Sequence, residues 1–127
     1  MSYLWVAVGG ALGSMGRYAV GRAVARLGDG VFPWGTLIVN VSGSLAIGFL
    51  AGLATADGRA VLSSDARAFL LVGVLGGFTT FSSFSLETLN LVRADQWIGG
   101  AVNVLASVGL CLIAVSIGFA AASAFSR

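Results

Sequence analysis

The chain has 127 residues, 57% of them hydrophobic and 9% charged, with a net charge of +2 and no histidine. Soluble domains carry about 25% charged residues, so these few charges do not make a water-facing surface around so much apolar side chain; a bilayer accepts apolar groups outside as well as inside. The 7 basic residues are all Arg and are scattered, which excludes a nucleic-acid footprint, and the 1 cysteine, Cys111, allows neither an internal disulfide nor a zinc cluster.

A membrane-spanning helix takes about 20 mostly apolar residues. Four segments qualify, which predicts an all-α membrane protein with a single transmembrane domain over 1–127. The first runs over 3–20. It lacks a basic start and carries Arg17 late, so it reads as a retained helix rather than a cleaved signal peptide. Arg17 either snorkels to the interface or acts as an anchor or anion lure near a vestibule. Gly28-Asp29-Gly30 and Pro33 then signal a turn before the second helix, 34–56. Asn40 lies deep in that helix near Ser42 and Ser44, and serves either as a hydrogen bond between helices or as an amide donor lining an aqueous path. Asp57-Gly58-Arg59 and Ser63-Ser64-Asp65 mark the next loop.

The third helix, 68–92, is the most informative. Gly76-Gly77 stands before a run of hydroxyls, Thr79, Thr80, Ser82, Ser83 and Ser85, and Glu87 follows. Glycine loosens a helix, and Ser and Thr re-satisfy the backbone groups that it frees, so this helix is expected to break near its middle. A break releases carbonyl oxygens, which are hard cation ligands. Phe78, Phe81 and Phe84 repeat every third residue. The stripe either packs helices or lines a path with the hydroxyls. Ring edges carry partial positive charge and hydroxyls are neutral donors. Together they replace part of an anion's water shell without trapping it.

Arg93-Ala94-Asp95-Gln96 is a tight polar connection to the fourth helix, 97–125, where Asn103 and Ser107 share a face. Cys111 is read as a small core or lipid-facing residue. Tyr3, Trp34 and Trp97 stand at helix ends, as interfacial aromatics do. Gly9 with Gly13, and Gly48 with Gly52, have the spacing that lets membrane helices approach closely. With the termini on one side, Arg59, Arg67 and Arg127 balance Arg22, Arg26 and Arg93 on the other, and Arg17 is left inside the membrane. Without an arginine bias the chain is expected to insert both ways, which makes a dimer of opposite-facing copies natural.

The chain resembles the bacterial fluoride channel family, the Fluc or CrcB-like proteins, over essentially its whole length. The resemblance rests on Gly9-Gly10 through Gly13 to Arg17-Tyr18, on Gly35-Thr36-Leu37, Asn40, Gly43 and Gly48, and above all on the run GGFTTFSSFSLE ending at Glu87. It implies an antiparallel, dual-topology homodimer in the bacterial plasma membrane that passively exports fluoride and so lowers its toxicity. It further implies a pore of Asn40, Phe81, Phe84, Thr80, Ser83 and Ser107. One structural sodium ion, not transported, would be held by the backbone carbonyls of Gly76 and Thr79. Arg17 and Glu87 would take vestibule or structural places. The chain departs from the family in having Ser83 where Thr is usual, which keeps the hydroxyl, and Asn103 where many members carry Tyr.

Two other readings fit less well. A proton-coupled multidrug exporter is also a four-helix, dual-topology dimer, but needs a carboxylate in its first helix, and this first helix has none; Glu87, near the end of the third, is the sole stand-in. A non-conducting membrane subunit leaves the hydroxyls and Asn40 without a task beyond packing. An enzyme is excluded by the lack of histidine, of a nucleophile–base pair and of a phosphate loop.

Overall fold

The computed structural model describes residues 1–28, 30–55 and 62–125. Asp29 of the first turn, Asp57-Gly58-Arg59 of the second loop and Arg127 lie outside these. The described residues form helices and no strands: α1 (Ser2–Ala25), α2 (Trp34–Thr55), α3 (Ser64–Arg93) and α4 (Trp97–Phe125). The last three are each long and apolar enough to cross a membrane. α1 has 24 residues, or about 36 Å of helix, and carries Arg17 and Arg22 within that length.

Large apolar side chains are exposed on all four helices, among them Leu12, Ile38, Val72 and Leu105. The buried apolar residues are few: Leu37, Val39, Phe84, Leu91, Ala114 and Ala122. Lipid tails are as apolar as Leu, so helices in a bilayer associate through close packing and hydrogen bonds rather than through burial. Glycine supplies the close packing. A methyl group on Gly13 would run into the Val74 carbonyl oxygen, which seats α1 on α3; one on Gly48 would run into that of Val115, which seats α2 on α4.

Local chemistry sets the helix boundaries. Ser63 accepts from the Ala66 N–H at 3.2 Å and caps α3, with Asp65 in the first turn. Hence Ser64 and Asp65 belong to the helix, where the sequence reading had a loop. α1 likewise continues past Val20 to Ala25. Between α3 and α4 the chain reverses through Asp95 at φ 59°. The Asp95 N–H donates to Val92 O at 3.1 Å and the Gln96 N–H to Leu91 O at 2.9 Å. That pair of bonds closes a helix end whose carbonyls would otherwise be orphaned.

α3 is irregular. It opens with one α-helical turn, Ser64–Arg67, widens into π-helical turns over Ala68–Leu75, and tightens again over Gly76–Phe78. Thr79 (φ −77°, ψ 157°) and Thr80 (φ −154°, ψ 115°) are extended, and the helix resumes over Phe81–Arg93.

Candidate functional site

The extended pair Thr79-Thr80 is held by Asn40 from α2. The Thr80 N–H donates to Asn40 Oδ1 at 2.7 Å, and Asn40 Nδ2 donates to the Thr80 carbonyl at 2.9 Å. A backbone N–H only donates, so the atom facing it is the amide oxygen and the orientation of Asn40 is fixed. One side chain thus satisfies both polar groups of a residue outside any helix, a need that is acute in a membrane. A methyl group on Gly43, one turn along α2, would collide with the Thr79 side-chain methyl. Thr79 Oγ1 donates back to Leu75 O at 2.9 Å, and Thr80 Oγ1 caps the resumed helix by accepting from the Ser83 N–H at 3.1 Å.

These bonds redirect donors. In an uninterrupted helix the Thr80 N–H would serve the Gly76 carbonyl and the Ser83 N–H that of Thr79. Here they serve Asn40 and the Thr80 hydroxyl. The carbonyls of Gly76 and Thr79 are left without those two donors.

A cavity lies on each side of the interruption. The first, about 390 Å³, is lined by Asn40, Gly43, Ser44, Gly76, Thr79, Thr80, Phe81, Phe84 and Ser107, with apolar side chains and Cys111 completing it. The second, about 530 Å³, is lined by Ser14, Arg17, Tyr18, Arg22, Thr36, Thr80, Ser83 and Glu87. Thr80 is common to both and is itself buried. The residues singled out in the sequence therefore come together in two groups. Asn40, Phe81, Phe84, Ser107, Gly76 and Thr79 share the first cavity; Arg17, Ser83 and Glu87 share the second. Phe81 and Phe84 stand with ring centroids 5.2 Å apart and planes tilted by 52°. Phe84 is 7% exposed and Phe81 is 76% exposed.

The two cavities differ chemically. The second carries the guanidinium groups of Arg17 and Arg22 and the carboxylate of Glu87; the first holds no charged side chain. Arginines attract anions, and ring edges, an amide and hydroxyls offer a neutral wall with partly positive edges and donors. Among the described residues no group of His, Cys, Asp and Glu is arranged to hold a metal ion.

Sequence reasoning missed three participants. Arg22 was assigned to a loop because α1 was ended at Val20; it lies in the last turn of α1, its guanidinium 5.9 Å from the Tyr18 ring centroid. Thr36 donates to Glu87 Oε1 at 2.7 Å, while Glu87 Oε2 is buried without a hydrogen-bond partner. Thr88 accepts from Asn103 Nδ2 at 2.9 Å, and Asn103 is 1% exposed. Nothing in local spacing pairs residues on different helices, so the sequence did not mark either bond.

Comparison with known proteins agrees with this architecture. The family model described as "CrcB-like protein, Camphor Resistance (CrcB)" matches residues 4–119. A protein of Opitutus terrae, "Fluoride-specific ion channel FluC", is 54% identical over 120 residues, covering 94% of this chain and 91% of its own. Proteins of the same name from Methylocella silvestris and Paramagnetospirillum magneticum are 49% and 47% identical over 127 residues, covering all of this chain and 97% and 99% of theirs. The match takes in all four helices, so the chain, a multi-pass helical membrane protein and not an enzyme, belongs to the CrcB-like family.

Proposed function

We propose that this protein is a fluoride-specific ion channel that exports fluoride passively from the cytoplasm and so lowers its toxicity. The observation that carries the reading is the uncharged passage at the interruption of α3, where Asn40, Phe81, Phe84 and Ser107 meet in one cavity and arginines stand in the next. The named relatives are fluoride-specific channels at up to 54% identity. Fluoride crosses membranes as the neutral acid and is retained inside as the anion. A potential negative inside then drives the anion outward, by about 2.3 kcal/mol per charge for each 100 mV, and no other energy source is needed. The test is fluoride flux through the purified protein in a bilayer.

The working unit in this reading is an antiparallel homodimer. Phe81 is 76% exposed on the single subunit although it lines the cavity, which is the position of a ring that a second copy covers. The arginines toward the helix ends and in the loops, read from the sequence as evenly divided, favour neither orientation. A cysteine introduced at Gln96 in a Cys111→Ser background is expected to react with an impermeant thiol reagent from both faces of the membrane. Labelling from one face alone would rule out dual topology.

The same reading places one structural sodium ion at the centre of the dimer, on the carbonyls of Gly76 and Thr79 from each copy. The residues fit such an ion: Thr80 and Ser83 have turned their N–H groups elsewhere, and neutral carbonyl oxygens suit a monovalent hard cation. The ion would neutralise the released carbonyl dipoles and hold the interruption of α3 in place. Replacing sodium by a large organic cation during long equilibration is expected to reduce fluoride flux at least about tenfold. Unchanged flux after complete exchange would remove the ion from the account.

A further inference from the structure

Asn103 is buried in α4, and its hydrogen bonds show what it holds. A single chain of hydrogen bonds runs through it from α4 to α3. The Ser107 hydroxyl donates to Asn103 Oδ1 at 3.4 Å, Asn103 Nδ2 donates to Thr88 Oγ1 at 2.9 Å, and the Thr88 hydroxyl donates to the Phe84 carbonyl at 2.8 Å. Every donor in the chain points toward Phe84. Asn103, Ser107 and Phe84 are all buried. Beside this chain a methyl group on Gly100 would stand 3.1 Å from a Val92 side-chain methyl, so α4 sits close against α3 here.

The second half of α3 begins anew at Phe81, and the helical ladder of the first half does not fix its rotation. Its azimuth has to be set from outside. Asn40 holds its start at Thr80, Thr36 reaches Glu87 from α2, and α4 contributes the Asn103–Thr88 bond one turn beyond Phe84. In a bilayer, where burial does not drive helices together, such bonds decide orientation.

We infer that Asn103 is a positioning residue: through Thr88 it fixes the rotation of the second half of α3, and with it the direction in which the Phe84 ring edge faces the passage. This rests on the channel reading above.

The test uses the full-length protein in liposomes and two substitutions of Thr88. Thr88→Val removes the hydroxyl and keeps the shape; Thr88→Ser keeps the hydroxyl. Thr88→Val is expected to lower fluoride turnover about fivefold and to reduce the fluoride-over-chloride permeability ratio, with Thr88→Ser within about twofold of the unaltered protein on both readouts. Asn103→Leu combined with Thr88→Val removes both partners of the interhelical bond together, at the cost of the Ser107 hydroxyl losing its acceptor. It serves if the single variant does not fold, and is expected to show the same lowered permeability ratio. Equal turnover and selectivity in Thr88→Val and the unaltered protein would overturn the inference. So would equal losses in Thr88→Val and Thr88→Ser, because the hydroxyl would then be irrelevant. An absence of fluoride flux from the unaltered protein would overturn the channel reading itself.

Discussion

Asn40→Asp is expected to lower fluoride flux about a hundredfold or more, the largest effect of any single substitution considered. The replaced atom is Nδ2, which donates to the Thr80 carbonyl. In the variant a carboxylate oxygen faces that carbonyl oxygen, and a negative charge stands in a cavity with no other charged side chain. Stranding an unpaired charge in such a place costs about 3–5 kcal/mol, and each 1.36 kcal/mol is tenfold in rate. The charge also repels an arriving anion. Fluoride flux and the elution of the purified protein have to be measured together, since Asn40 also holds the interruption of α3. A folded variant with full flux would remove Asn40 from the passage.

Phe81→Ile is expected to lower fluoride flux about tenfold or more while leaving the protein folded. The ring is 76% exposed on the subunit, so its loss disturbs little internal packing. What disappears is the partially positive ring edge and its pairing with Phe84, 5.2 Å away. Aromatic pairs contribute up to about 1.5 kcal/mol beyond area burial, which is about tenfold in a rate. Ile keeps the bulk and offers no such edge. Flux equal to that of the unaltered protein would mean that Phe81 only packs against its neighbours.

The two substitutions probe different origins of the same passage. Asn40 acts from α2 and Phe81 from the restart of α3, and the Thr80 backbone that Asn40 holds immediately precedes Phe81. Neutrality is the shared requirement. Arg17 and Arg22 line the second cavity, and the first, which holds both rings, carries no charged side chain. A cation placed beside Phe84 would bind the ion more tightly and release it more slowly.

Much of this was legible in the sequence because membranes impose long apolar runs. The extents of α2 and α4 followed from hydropathy, apart from Ala56, which lies outside the described residues. The run from Gly76 to Glu87 marked the site, since adjacent glycines and clustered hydroxyls have no purpose on a lipid-facing helix. The end of α1 was misjudged because Arg22 was read as a loop residue, whereas a long side chain in a last helical turn reaches the interface easily. The start of α3 was misjudged because Ser63 was read with the loop instead of as a cap. The bonds from Asn40 to Thr80, Thr36 to Glu87 and Asn103 to Thr88 were hidden for a different reason. They join residues 15 to 51 positions apart. Local periodicity says which face a residue is on, not which helix it meets.

The most direct test of the central claim is fluoride efflux from liposomes that contain the purified protein, followed with a fluoride electrode under an outward potassium-fluoride gradient after addition of valinomycin. Rapid fluoride release, with little chloride release from matched chloride-loaded liposomes, is the result expected of a fluoride-specific channel. A well-folded protein that releases no fluoride would contradict it and turn attention to proton-coupled transport, with Glu87 as the carboxylate to examine.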